Sequence, residues 1–170
     1  MFTLQEIIEI VVSIVLVSII FSNMLKSKLL QNEKERFKLS VFLTIPSIIF
    51  HELGHKFVAL FFGNYAVYHV ALNWLLLGLV LSYLGLPIFF VPAYVSIHYV
   101  NYSKLAFVLT ALAGPLVNLV IFVFSKYMFS RKPSLYFAIL MDINKWLFIF
   151  NILPIIPGTD GYQALFALFS

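Results

Sequence analysis

Apolar residues in this chain come in long runs separated by short polar stretches, and four of the runs have the length that a bilayer sets. A helix needs about 20 residues to cross the hydrocarbon core, and residues 4–25, 39–62, 105–124 and 134–153 meet that length. Between the second and third runs the pattern changes. Residues 64–73, "NYAVYHVALN", are rich in Tyr and Val and carry no helical stripe. Residues 92–102, "PAYVSIHYVNY", alternate, with Ala93, Val95, Ile97 and Tyr99 on one face and Tyr94, Ser96 and His98 on the other. A period of two predicts strands. At membrane depth an open strand edge is tolerated only where protein or a water-filled cavity covers it. Residues 74–91 lie between the strands, apolar enough to cross yet interrupted by Gly85 and Pro87. They predict either a span or a bent, re-entrant segment. If they do not cross, the basic stretch 26–38 and the Lys126, Arg131, Lys132 cluster share one side, as the positive-inside rule prefers.

The expected fold is therefore an all-α polytopic membrane protein with four to six transmembrane helices and a small β-strand element between the second and third long runs. Composition agrees. The chain of 170 residues is 62% hydrophobic and 11% charged, with a mean hydropathy of +1.02, whereas soluble domains carry about 25% charged residues. One membrane-embedded domain over residues 1–170 is expected, with a first span and basic loop at 1–38 and a catalytic core at 39–170. The first run carries Glu6 and Glu9 at its start instead of basic residues and exceeds the core of a signal peptide, so it is expected to be a retained anchor. The net charge of +4 does not point to nucleic acid, because 5 of the 11 basic residues lie between Lys26 and Lys38, where they read as a membrane-flanking loop. With no Cys, disulfides, thiolate metal ligands and a cysteine nucleophile are excluded.

The second run contains what lipid should penalise: "HELGH", with His51, Glu52 and His55, followed by Lys56. A charged side chain near the bilayer centre costs about 2.5–3.5 kcal/mol on insertion scales, and intramembrane ionisable groups are by default functional. Residues i and i+4 of a helix share a face, so His51 and His55 can meet one zinc ion, and Glu52 is placed to take a proton from a zinc-bound water. The bland alternative is a buried polar cluster without metal. A catalytic zinc takes a third protein ligand and keeps one position open. Asp142 precedes Lys145 by three residues, a spacing that suits an ion pair on one helix face. His69 and His98 sit in the strand-like pieces and read as polar-face or channel residues. Asp160 closes "NILPIIPGTDG", where Pro154, Pro157 and Gly158 break the preceding helix and let a carboxylate point into the bundle; it is the favoured third ligand. Lys56 is expected to face a cavity or to snorkel.

"HELGH", "AGPLVN" (residues 113–118) and "NILPIIPGTDG" (residues 151–161) form an ordered set. It resembles the site-2 protease family of intramembrane zinc metalloproteases in its compact archaeal and bacterial form, from about residue 39 onward. The resemblance implies one zinc per chain held by His51, His55 and Asp160, with Glu52 as general base. It implies a substrate-binding or oxyanion role for Asn118 and Asn151, whose bland alternatives are an interhelical hydrogen bond and a helix-end cap. The chain departs from the family pattern in one extra residue between Asn151 and Asp160, and the helix after Gly161 is expected to be short. The expected activity is hydrolysis of a peptide bond within or near a transmembrane segment of a membrane-protein substrate, by a multi-pass protein of the cell membrane whose partners are that substrate and the lipid bilayer. An edge such as residues 93–99 is expected to hold the unwound substrate by strand addition. Two other readings stay open: a catalytically silent zinc-binding scaffold or chaperone, and a metal transporter, which needs more polar groups along a pathway than this sequence offers.

Overall fold

The computed structural model describes residues 2–26, 30–86, 91–100, 103–155 and 157–169. Among these the order of elements is α1 (Leu4–Met24), α2 (Glu33–Thr44), a π-helical turn (Ile45–Ile49), α3 (Phe50–Phe61), β1 (Tyr65–Val70), α4 (Leu72–Leu84), β2 (Ala93–His98), α5 (Lys104–Arg131), α6 (Leu135–Ile152) and α7 (Asp160–Phe169). Four helical stretches are long and apolar enough to cross a membrane: Leu4–Met24, Glu33–Phe61, Lys104–Arg131 and Leu135–Ile152. The protein is thus all-α and polytopic, with one small antiparallel two-stranded sheet, β1 with β2. α4 has 13 residues, about 20 Å of helix, and so falls short of the hydrocarbon core. It ends at Gly85, whose φ of 66° is the left-handed conformation glycine adopts without penalty. Pro87, expected to add to that break, lies outside the described residues.

Two ends depart from the sequence reading: α5 continues to Arg131, past the apolar run that stops at 124, and residues 33–38, expected in a basic loop, are found as the start of α2. Local chemistry explains the latter. Asn32 caps the helix by accepting from Lys34 N at 3.1 Å, and Glu33 and Glu35 sit in the first turn, where the helix dipole favours negative charge. The π-helical turn holds Pro46, which has no N–H to give the ladder; such widened turns are frequent at functional sites.

The chain forms two compact units. The first comprises Met1–Ile49 and Tyr68–Tyr94. Here α1 packs on α2 and α4; small hydroxyl side chains of α1 and α2, Ser13, Ser18, Ser40 and Thr44, are buried, and Ser18 donates to Thr44 Oγ1 at 3.2 Å. Small residues let helices approach where lipid removes the hydrophobic drive between them. Buried Arg36 donates to the carbonyls of Ser22, Leu30 and Gln31, which ties α2 to the last turns of α1 and to the residues just before its own cap. Glu6 accepts from Tyr68 N at 2.8 Å and Glu9 from Val70 N at 2.8 Å, so the two acidic residues of α1 satisfy backbone donors of β1.

The second unit comprises Phe50–Val67 and Val95–Ser170. α5 packs against α3, α6 and α7. A Cβ on Gly54 would stand 3.1 Å from Ala113 O and 3.0 Å from a methyl of Val117, so α3 and α5 meet backbone to backbone at that glycine. Lys56 does not snorkel; it is buried and donates to Ala66 O at 2.6 Å.

Candidate metal centre

His51 and His55 stand one turn apart on α3, both buried, with ring centroids 4.9 Å apart. Asp160 opens α7. The connection from α6 delivers it in three steps. Leu153 ends α6 in extended backbone; Thr159 donates to Leu153 O at 2.9 Å; Gly158 adopts a φ of 92°. Gly161 then permits the approach, since a Cβ there would lie 2.1 Å from Ile152 O.

Hydrogen bonding sets the imidazole tautomers. His55 Nδ1 is 2.7 Å from Thr110 O, and a carbonyl only accepts, so Nδ1 carries the proton. His51 Nδ1 is 2.5 Å from Asn118 Oδ1. Each Nε2 therefore presents a lone pair inward, and these two nitrogens are 3.2 Å apart. The Asp160 carboxylate meets them at 3.3 Å (Oδ2 to His51 Nε2) and 3.4 Å (Oδ1 to His55 Nε2), with Oδ2 buried and lacking a hydrogen-bond donor. Acceptor groups facing one another at such range repel unless a cation lies among them. The spacing suits zinc: ligand atoms about 2.0–2.1 Å from a tetrahedral zinc are about 3.3–3.4 Å from each other. The donor set, two imidazoles and one carboxylate with their outer nitrogens bonded to protein, fits that ion.

Gly114 lies within "AGPLVN", where the sequence alone assigns it no role. A Cβ there would stand 2.3 Å from His55 Nε2 and 2.6 Å from His51 Nε2, so α5 crosses the centre at the one residue type that leaves room. Glu52 is buried in the same turn as His51 and is not part of the ligand cluster, which among the described residues consists of His51, His55 and Asp160. The other candidates lie outside it. Asp142 is exposed on α6 and His98 at the end of β2, while His69 faces Glu9 at 3.7 Å and Tyr94. Asn118 is fully buried with its oxygen on His51; Asn151 is half-buried in the last turn of α6.

Fold and site define a polytopic membrane protein whose helices present a His-His-Asp ligand set with a neighbouring glutamate. The chain is 33% identical over 169 residues to a Methanocaldococcus jannaschii protein named "Putative zinc metalloprotease", the match covering 96% of this chain and 85% of that protein. It belongs to this zinc metalloprotease family. No protein-family model matches the chain, and no solved structure does.

Proposed function

We propose that this protein is an intramembrane zinc metalloprotease of the site-2 type, hydrolysing a peptide bond within or near a transmembrane segment of a membrane protein. The observation that carries the reading is the convergence of His51, His55 and Asp160 with α3 inside the apolar stretch Glu33–Phe61. A metalloprotease built for soluble substrates has no need to place its ligands there.

His51, His55 and Asp160 would hold the zinc, one per chain. When bound, zinc supplies a Lewis acid that lowers the pKa of a coordinated water toward roughly 7. Glu52 takes the proton of the attacking water and returns it to the leaving amine. We assign the substrate or oxyanion contact to Asn151, since Asn118 already turns its oxygen to His51 and its amide to Asn144. The unwound substrate adds to β2. Supporting this, Tyr68 N, Val70 N and Ala66 O of β1 are taken by Glu6, Glu9 and Lys56, which closes those positions of β1 to addition and leaves β2 as the strand to extend. Residues 1–170 act as one domain of the cell membrane, with 39–170 as catalytic core. Metal content and cleavage of a membrane substrate by wild type and Glu52→Gln test the proposal.

A further inference from the structure

A chain of side-chain amides runs from the backbone of α6 to the centre, and each link fixes the polarity of the next. It starts at Leu140 O, which can only accept. Asn144 Nδ2 donates to it at 2.8 Å, so the Asn144 oxygen must point the other way. That oxygen accepts from Asn118 Nδ2 at 2.8 Å, which turns Asn118 Oδ1 toward His51 Nδ1 at 2.5 Å. An amide oxygen can only accept, so His51 carries its proton on Nδ1 and leaves Nε2 free to ligate. Reversing either amide would bring two acceptors or two donors face to face in a site without water access: Asn118 and Asn144 are fully buried. The cost of such a mismatch inside a low-dielectric interior holds the order of the whole chain.

We propose that Asn144 is a positioning residue for the metal centre, acting on His51 through Asn118. It lies on a different helix from every ligand and is not part of the quoted motifs, and it sets which nitrogen of His51 faces the ion before any ion arrives. The proposal rests on the zinc-site reading above. His55 needs no such device, because its outer nitrogen meets the carbonyl of Thr110 directly. Partners of this kind, which orient a ligand without touching the metal, typically contribute about 10- to 100-fold to metal affinity.

The test is a zinc competition titration on the full chain in lipid nanodiscs, for wild type, Asn144→Leu, Asn118→Leu and the double variant. Asn144→Leu is expected to weaken zinc binding about 10- to 100-fold. The same change is expected to have little further effect in the Asn118→Leu background, since the two residues act in series. Wild-type affinity in Asn144→Leu, or a loss that simply adds in the double variant, would overturn the proposal. Should Asn144→Leu fail to fold, the wild type itself decides: in zinc-free protein, the nitrogen NMR shifts of His51 are expected to place its proton on Nδ1, and an Nε2–H tautomer would overturn the proposal. Failure of wild type to bind zinc at all would instead sink the metalloprotease reading on which the proposal stands.

Discussion

Gly114 lies against the imidazoles of both His51 and His55, so close that a single added methyl would overlap His55 Nε2 at 2.3 Å and His51 Nε2 at 2.6 Å. Neither side can yield easily. The imidazoles are held from behind by Thr110 and Asn118, and Gly114 is mid-helix in α5. Gly114→Ala is therefore expected to displace the ligands and lower zinc affinity by at least about tenfold, in the range seen for misoriented ligands, while α5 gains helix propensity. Zinc affinity unchanged from wild type would show that the helices separate here without cost.

Asp160 is the third ligand of the reading. Asp160→Ala leaves two imidazoles, and zinc content after dialysis is expected to fall well below one per chain, as in His51→Ala and His55→Ala. The fold should survive, because a half-buried carboxylate facing two lone pairs is unfavourable without the ion. Full zinc occupancy in Asp160→Ala would remove this residue from the site.

How much of this was legible in the sequence differs from feature to feature, for physical reasons. The long helices are set by bilayer thickness, so run length located most of their ends to within a few residues. The exceptions are Glu33, where a polar cap extends a helix that hydropathy alone starts at residue 39, and the end of α5, which continues to Arg131 beyond the apolar run that stops at 124. His51 and His55 are a local spacing, and Asp160 is marked by the proline and glycine breaks before it; these three could be named as candidates from the chain alone. Asn144 could not. One asparagine in an apolar helix has no period or partner in the sequence, and its meaning comes from Leu140 O on one side and Asn118 on the other. Gly114 was visible as a letter of a motif, yet its role depends on a distance between helices. Glu6 and Glu9 read only as unsuited to a signal peptide, while their work is to accept from β1 about 60 residues away in sequence.

That pairing gives a stability prediction. Glu6 accepts from Tyr68 N and caps α1 together with Thr3. Glu6→Ala leaves a buried backbone donor unsatisfied, at a cost of about 1–3 kcal/mol, and a loss of this size is expected in unfolding experiments in mixed micelles with zinc content preserved. Unchanged stability would mean that another acceptor replaces the carboxylate.

Strand addition at β2 makes a separate prediction. Ile97→Pro removes a backbone donor from β2, and cleavage of a membrane substrate is expected to drop while zinc stays bound. Undiminished cleavage by a folded Ile97→Pro protein would count against substrate pairing on this strand.

The central claim, that this membrane-embedded centre hydrolyses peptide bonds, is tested most directly by one comparison: zinc content and cleavage rate of wild type against Glu52→Gln, with the same membrane substrate. Glutamine keeps the size of the side chain and removes the base, and loss of a general base typically costs about 100- to 10,000-fold in rate. Since Glu52 stands beside the ligand set without belonging to it, zinc content is predicted to remain near that of wild type while cleavage collapses. Cleavage by Glu52→Gln at the wild-type rate would contradict the mechanism, and retention of zinc by both proteins with cleavage by neither would turn the account toward a zinc-holding scaffold.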